Sequence, residues 1–156
     1  MKKILRIVLF IIIAIVLVFG LLIAYASWTD YNPHEKEIVL ENKSPDMIAD
    51  SARLSLLIWN IGYAGLDATM DFFYDGGQQV RPDEAQVNEN MTAIVDFLAQ
   101  HKQKDVIMLQ EADKSAKRSY RLNQYRTISS SLSGFTPSFG KNYDVFFIPV
   151  PFHSPY

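Results

Sequence analysis

The sequence predicts an α/β domain that follows one membrane-spanning or signal helix. Three observations predict this: a long apolar start, a short apolar run that ends at Asn60, and a second short apolar run that ends at Gln110 after a helical pattern. A strand, a helix and a strand in that order are typical of a βαβ unit with parallel strands. The predicted boundaries are 1–26 for the first helix, 27–52 for a linker and 53–156 for the α/β domain.

The N-terminal segment is long enough to cross a bilayer. Residues 7–26 contain no charged side chain, and a helix of that length, at about 1.5 Å per residue, spans roughly the hydrocarbon core of a membrane. The segment is preceded by three basic residues, Lys2, Lys3 and Arg6. Basic residues on this side favour a cytoplasmic N-terminus, so the rest of the chain is expected to face outward.

Two interpretations of this segment are compatible with the sequence. One is an uncleaved signal anchor, which makes the chain a single-pass protein of the cell membrane. The other is a cleaved signal peptide and a secreted product, because Ala24-Tyr25-Ala26 has the small-x-small pattern of a cleavage site. We favour the anchor, since the apolar run is longer than the apolar region of an ordinary signal peptide.

Charge and cysteine content exclude several classes of function. Subtracting the three N-terminal basic residues from the 15 Lys and Arg leaves 12, against 17 Asp and Glu, so residues 27–156 carry a net charge of −5. The overall field of such a domain does not attract nucleic acid, and any recognition of phosphate must be local. The chain contains no cysteine, which excludes disulfides, cysteine-ligated zinc and thiol nucleophiles.

The helix between the two apolar runs has one apolar face. Pro82 is predicted in its first turn, and the acidic residues Asp83 and Glu84 suit the positive end of the helix dipole. The helix is predicted to end near His101. Apolar residues recur at helical spacing and are predicted to be buried, namely Val87, Met91, Ile94, Val95 and Leu98.

The other elements are predicted from short apolar runs and from the positions of glycine and proline. Residues 63–81 lack periodicity and are predicted to form a long loop. Asp71 and Asp75 lie beside a Gly-Gly pair and could be calcium ligands or loop caps, although such aspartates are more often turn residues. The strand at 53–61 is predicted to be buried and to stop at Gly62. The remaining predictions are strands over 38–40, 105–110 and 144–150 and a helix over 120–132.

Two oxygen-bearing side chains stand at the ends of the central strands. Asn60 ends the first strand and Glu111 follows the second. Ligand groups collect at the carboxyl ends of parallel strands, so neighbouring strands would bring these two together. An amide oxygen and a carboxylate suit a hard cation such as Mg²⁺. The structural alternative is that Asn60 caps a turn and Glu111 is a solvated charge, and spacing alone favours that alternative.

The residues around this pair resemble a known family. Trp59-Asn60-Ile61-Gly62 is followed by Asp105-Val106-Ile107-Met108-Leu109-Gln110-Glu111, and this order is similar to the endonuclease/exonuclease/phosphatase superfamily. That superfamily includes deoxyribonuclease-like nucleases, abasic-site endonucleases, neutral sphingomyelinases and inositol-phosphate phosphatases. The stretches 71–77, 112–120 and 142–151 are also similar to one subgroup of bacterial members. The resemblance covers roughly residues 53–156.

The resemblance implies a fold, a metal and a substrate class. The fold would be a two-sheet α/β sandwich, of which this chain supplies about the first half. Glu111 would hold Mg²⁺ or Mn²⁺, with Asn60 helping to position the ion or the phosphate, and no other cofactor is implied. The substrate would be a phosphodiester, either nucleic acid or a phospholipid head group, and no obligate protein partner is expected.

Two further residues are candidates for the site. Arg118 is a candidate for contacting a substrate phosphate, since Arg suits bidentate phosphate contacts, and Tyr143 is a weaker candidate. The alternative for Arg118 is an exposed basic face shared with Lys114, Lys117 and Arg121.

The sequence also departs from the family's pattern. The later motifs of the family supply a catalytic His, an Asp/Asn pair and a terminal Asp-His pair, and none of His34, His101 and His153 lies in such a motif. We therefore expect a truncated member of a membrane-anchored, outward-facing, Mg²⁺-dependent phosphoester hydrolase family, with little or no activity of its own. The alternative is a non-catalytic single-pass surface protein or binding module.

Overall fold

The computed structural model describes residues 2–36, 48–145 and 148–151, and the chain divides into two compact units. The first unit contains residues 1–39 and 140–149, and the remaining residues form the second unit. The first unit holds the apolar N-terminal helix. The second unit holds the βαβ arrangement and the candidate site.

Helix α1, Lys2–Thr29, contains the whole predicted span at 7–26. By length and composition it can cross a membrane, and it is the one such helix in the part of the chain that the structure describes. None of its residues is buried. An apolar helix that no protein layer covers fits a membrane span or a signal sequence better than a core helix.

The other residues of the first unit that the structure describes, 30–36, 140–145 and 148–149, are irregular. The backbone N–H of Tyr31 donates to the carbonyl of Asp144 at 3.1 Å. Lys141 Nζ lies 4.3 Å from the centre of the Tyr31 ring and 2.9 Å from Asp144 Oδ2. Both side chains of that ion pair are largely exposed, so the pair contributes at most about 1 kcal/mol.

At the residues that the structure describes, the predicted strand at 144–150 is wrong. Its described residues, 144–145 and 148–150, adopt no regular structure, and Pro149 has no N–H to donate to a neighbour. A strand is stable only where another strand satisfies its backbone groups, and an apolar composition does not supply that neighbour. The predicted strand at 38–40 lies outside the described residues.

Two parallel strands, β1 (Leu56–Asn60) and β2 (Val106–Gln110), form the sheet of the second unit. The register pairs Asn60 with Gln110. Glu111, the next residue of the chain, therefore leaves β2 at the edge where Asn60 ends β1. The predicted βαβ order with parallel strands is confirmed.

Strand β1 was predicted to be buried, but only one of its faces is covered. Leu57 and Trp59 are half-buried and pack against the core, whereas Leu56 is 49% and Ile58 61% exposed. On β2, Met108 is 42% exposed in the same way. Side chains alternate between the two faces of a strand, so a helix layer on one side leaves the other side open.

Helix α2, Glu84–Ala99, covers the inner face of the sheet. The predicted apolar face is confirmed, with Val95 partly buried and the others buried, namely Val87, Met91, Ile94 and Leu98. Pro82 lies before the helix and not in its first turn, because Asp83 is the N-cap and accepts from the N–H of Gln86 at 2.8 Å. That carboxylate satisfies an N–H that has no partner inside the helix.

Helix α3, Gln124–Ser131, is shorter than the predicted range 120–132. It begins where Asn123 accepts from the N–H of Arg126 at 2.9 Å. Its buried apolar side chain, Ile128, packs into the same core as α2. The cap therefore sets the start of α3, and the residues before it take another conformation.

The predicted loop at 63–81 has some internal structure. It contains short 3₁₀ turns at Gly62–Ala64 and Phe73–Asp75. Asp71 accepts from the N–H of Gln78 at 3.1 Å, so its predicted role as a turn residue is confirmed.

The carboxylate of Asp105 joins the two strands at the end of the sheet where both begin. Asp105 Oδ2 accepts from the N–H and from the hydroxyl of Ser55, each at 2.7 Å. These hydrogen bonds, the backbone bond first, lower the pKa of Asp105 below its ordinary value. Since Ser55 precedes β1 and Asp105 precedes β2, the contact ties the starts of both strands together.

We expect acid to weaken this contact. A carboxylate with a lowered pKa stabilises the folded state above its ordinary pKa of 3.8, and this contribution is lost as the pH falls through the lower folded value. The second unit should lose stability below about pH 4, and Asp105→Asn should lose less of it than the wild type. Urea midpoints at neutral and at strongly acidic pH measure the difference, and equal losses would contradict the role of Asp105.

Candidate functional site

Asn60 and Glu111 meet at the carboxyl edge of the sheet. Asn60 Nδ2 donates to Glu111 Oε1 at 3.0 Å, and Asn60 Oδ1 accepts from the N–H of Gly62 at 2.9 Å. Both side chains are exposed, so solutes can reach them. The predicted convergence of the two side chains is confirmed, while metal binding by them stays a prediction.

The carboxylate and amide oxygens of this pair are of the type that binds a small hard cation. A carboxylate has about four acceptor positions, and Asn60 occupies one of them on Glu111 Oε1. Mg²⁺ commonly takes one or two protein carboxylates and completes its shell with water and phosphate oxygens. The described residues contain no cluster of three or more His, Asp or Glu side chains. The pair could therefore form an open metal site in which Glu111 is the one carboxylate ligand.

The Asn60 amide orients Glu111 in this arrangement. Its oxygen already accepts from Gly62, and its nitrogen faces the carboxylate. The carboxylate needs a donor and the Gly62 N–H needs an acceptor, so the two partners determine which way the amide points. Asn60 thus orients the Glu111 side chain through this hydrogen bond, and Glu111 carries the negative charge of the pair.

The backbone at this edge has an unusual conformation. Gly62, Tyr63 and Ala64 have φ values of 51°, 45° and 57°, and Glu111 has 56°. The left-handed region costs a residue with a side chain about 1–3 kcal/mol, and contacts with the surrounding structure must offset that cost. One such contact joins the N–H of Tyr63 to the carbonyl of Glu111 at 2.8 Å. The two strand ends are therefore tied together beyond the sheet itself.

Arg118 is partly buried and pairs with Asp113, and its contact with a substrate phosphate stays a prediction. Its Nε and Nη2 donate to Asp113 Oδ2 and Oδ1 at 3.0 and 2.9 Å, and its guanidinium carbon lies 4.0 Å from the centre of the Tyr63 ring. Burial opposes the charged form, but the hydrogen bonds and charge of Asp113 outweigh it, so the pKa of Arg118 is raised. The charge of Glu111 also contributes to this rise.

The other predicted residues lie at the surface. Lys114, Lys117 and Arg121 are exposed, as the basic-face interpretation predicts. Lys114 Nζ lies 4.0 Å from the centre of the Phe139 ring. Tyr143 belongs to the first unit and is 63% exposed, and its role in a site stays a prediction.

Sequence reasoning missed three buried polar residues, Asp113, Ser119 and Gln124, which are 8%, 0% and 0% exposed. Ser119 Oγ donates to Asp113 Oδ2 at 2.8 Å, and Gln124 Oε1 accepts from the Asp113 N–H at 2.9 Å. Gln124 Nε2 also donates to the carbonyl of Tyr63 at 2.6 Å. These polar residues do not recur at an apolar spacing, so the sequence did not indicate that they are buried. The one available signal was an acid and an arginine soon after Glu111.

Every buried polar side-chain atom in the described ranges has a hydrogen-bond partner. This matters at the candidate site because an unsatisfied buried polar group costs about 1–3 kcal/mol. A fully satisfied network instead makes one arrangement of the surrounding loops much more stable than its alternatives. The residues behind Asn60 and Glu111 are therefore suited to hold a defined geometry.

Comparison with known proteins assigns no family to this geometry. No protein-family model, curated protein or solved structure matches the chain.

Proposed function

We propose that the second unit is the metal-binding part of a phosphoester hydrolase of the endonuclease/exonuclease/phosphatase kind, with Mg²⁺ or Mn²⁺ held by Glu111. The observation that supports this most is the 3.0 Å hydrogen bond between Asn60 and Glu111. The resemblance named these two residues, and they lie 51 positions apart in sequence. The open face of the sheet around Ile58 is compatible with the proposed sandwich, in which a second layer would cover it.

The residues at the strand edge have distinct parts in this proposal. A bound cation would polarise a phosphoryl oxygen and stabilise the charge that develops on it. Glu111 binds the cation through its carboxylate, and Asn60 holds that carboxylate in place. Arg118 supplies a fixed positive charge behind them. The substrate is a phosphodiester, from nucleic acid or from a phospholipid head group.

We expect the chain to bind the metal ion but to have little or no phosphodiesterase activity. The family activates water with a His–Asp pair, and no matching motif occurs in this sequence. His101 lies at the end of α2, with Nδ1 2.7 Å from the carbonyl of Phe97 and its ring 4.2 Å from the Phe97 ring. The His101 side chain therefore contacts the last turn of α2. Strong Mg²⁺-dependent phosphodiesterase activity that EDTA and Glu111→Ala both abolish would contradict this expectation.

We also propose that α1 stays in the membrane as an anchor and that the second unit faces outward. The basic residues Lys2, Lys3 and Arg6 support the orientation, since positive charges are retained on the cytoplasmic side. The length of α1, 28 residues, supports an anchor because a span needs about 20. Residues 30–55 then lie between the anchor and the first strand of the second unit in the sequence.

Glu111→Ala is expected to abolish specific Mn²⁺ binding to the full chain in detergent micelles. The reason is that the variant removes the one carboxylate of the site. Asn60→Ala should weaken binding by about 10–100-fold, the usual effect of losing a residue that orients a ligand. Titration followed by electron paramagnetic resonance measures free and bound Mn²⁺.

Glu89→Ala is the matched control, because Glu89 is an exposed acid on α2 outside the strand edge. It removes the same charge and should leave Mn²⁺ binding unchanged. Equal affinities for Glu89→Ala and Glu111→Ala would refute the metal site.

A non-catalytic surface protein is the second candidate. One observation favours it: the oxygen and nitrogen of the Asn60 amide already have partners, Gly62 and Glu111, without any ion. In that case Asn60 caps the turn and the strand end is purely structural. The wild-type chain would then show no specific Mn²⁺ binding, and Asn60→Ala would still lower its stability.

A further inference from the structure

We propose that Gln124, Asp113 and Arg118 are positioning residues for the Asn60–Glu111 pair, and that Arg118 is not a ligand of the substrate phosphate. The inference rests on the proposed function in so far as the pair binds a cation. Its structural part, that these buried side chains determine where Asn60 and Glu111 point, can be tested separately.

The first step is the position of Tyr63, which is 3% exposed. Its N–H donates to the carbonyl of Glu111 at 2.8 Å, and its own carbonyl accepts from Gln124 Nε2 at 2.6 Å. The preceding residue, Gly62, holds the Asn60 amide oxygen through its N–H. A shift of Tyr63 would therefore move the backbone contacts of both members of the pair.

The second step is the link between Gln124 and Asp113. Gln124 is fully buried. Its side-chain Oε1 accepts from the backbone N–H of Asp113, and its backbone N–H donates to the carbonyl of Asp113, both at 2.9 Å. Asp113 lies two residues after Glu111 in the chain. One side chain, Gln124, thus ties the segment after β1 to the segment after β2.

The third step is how Asp113 is itself held. Its two carboxylate oxygens accept from Arg118, and Ser119 Oγ donates to one of them at 2.8 Å. The Arg118 guanidinium, which makes this two-pronged contact with Asp113, also lies over the Tyr63 ring at 4.0 Å. Arg118 therefore contacts both segments that leave the sheet.

These contacts also argue against a direct role of Arg118 on phosphate. A planar guanidinium recognises phosphate best with two parallel N–H groups. Nε and Nη2, which form one such edge, are bound to the buried carboxylate of Asp113. Releasing them would leave Asp113 buried with its charge unpaired, which is strongly unfavourable.

The residues that hold the strand starts offer a contrast. Ser55 and Asp105 join β1 to β2 at the other end of the sheet through hydrogen bonds of 2.7 Å. Weakening that contact should loosen the sheet without changing where Asn60 points. Asp105→Asn is therefore a control that lowers stability but leaves the strand ends alone.

The experiment compares Gln124→Met, Arg118→Met and Arg118→Lys with Asp105→Asn, all as full chains in detergent micelles. The first readout is the nuclear magnetic resonance signal of the Asn60 side-chain amide, assigned by its loss in Asn60→Ala. The second is Mn²⁺ affinity, and the third is the urea midpoint. A residue that only stabilises the fold would change the third readout alone.

We expect Gln124→Met and Arg118→Met to move the Asn60 amide signal towards that of a solvated amide. Both should weaken Mn²⁺ binding by about tenfold or more, as is usual when a residue that orients a metal ligand is lost. Arg118→Lys should recover part of both effects, because an ammonium can donate to Asp113 but cannot form the two-pronged contact. Asp105→Asn should lower the urea midpoint and change neither the signal nor the affinity.

An unchanged Asn60 signal in Arg118→Met, together with unchanged Mn²⁺ affinity, would overturn the inference even where Gln124→Met fails to fold. A wild-type chain that binds no Mn²⁺ would refute the proposed metal site, and the Asn60 signal would still decide whether the three residues position the pair. Wild-type binding combined with unaffected variants would leave the metal site standing and reject the positioning role.

Discussion

Leu98→Ala is expected to destabilise the second unit by about 2–5 kcal/mol, the usual range for deleting a buried leucine side chain. Leu98 is fully buried on α2 and belongs to the cluster that joins the helices to the sheet. Its replacement leaves a cavity among close-packed neighbours, and those neighbours can collapse only in part. Urea unfolding of the full chain in micelles, followed by tryptophan fluorescence, measures the effect.

Ile58→Ala is the matched comparison. It removes a similar apolar volume from β1, but this side chain is 61% exposed. We expect a cost below about 1 kcal/mol, because little transfer energy is lost and no cavity forms. A cost as large as that of Leu98→Ala would mean that another layer covers the open face of the sheet.

Deleting residues 1–29 is expected to remove the protein from the membrane fraction. The deleted helix, α1, has a mean hydropathy of 3.5 over its most apolar window. On insertion scales each Leu, Ile, Phe or Val favours the bilayer by about 0.3–0.6 kcal/mol, so a span of this kind is held by several kcal/mol. We expect the full chain to resist an alkaline wash of the membranes and the shortened chain to be absent from them.

The mass of the membrane-bound protein separates an anchor from a signal peptide. An anchor keeps the full 17.8 kDa, whereas cleavage after Ala26 gives a shorter, secreted product. Ala26→Leu disrupts the small-x-small pattern and should leave the mass and location of an anchored chain unchanged. A wild-type product that is short and secreted, with Ala26→Leu retained in the membrane, would contradict the proposed anchor.

The parts of the fold that were predicted correctly depend on local patterns. The apolar face of α2 was predicted because Val87, Met91, Ile94 and Leu98 recur at the spacing of a helix, and each is buried. The start of α2 was predicted at Pro82, although Asp83 is the cap. Proline and aspartate both favour a helix start, and only the hydrogen bond from the N–H of Gln86 distinguishes them.

The errors concern features that depend on distant neighbours. The run at 144–150 has the composition of a strand, but composition does not provide the pairing strand that its backbone needs. Strand β1 was correctly placed, yet its burial was overestimated at Leu56 and Ile58. An apolar run does not indicate how many layers of other elements will cover it.

The candidate site shows the same division. Asn60 and Glu111 were found because Asn60 ends one short apolar run and Glu111 follows the other, and parallel strands bring their ends to one edge. The network behind them was not found, because Gln124 and Asp113 have no periodicity to mark them. For Arg118 the sequence left open an exposed face or a phosphate contact, and it did not indicate the pairing with the buried carboxylate of Asp113.

The sequence by itself determined the apolar helix at the N-terminus, the βαβ order and the two residues that end the strands, because these depend on neighbours along the chain. Only the tertiary structure decided that one face of the sheet is open, that Asn60 and Glu111 lie within a hydrogen bond of each other, and that Gln124 holds the turn beside them. The physical reason is that burial and hydrogen-bond partners depend on residues that are distant in the chain. The order of the elements predicts which strand ends meet, but it does not specify the individual contacts.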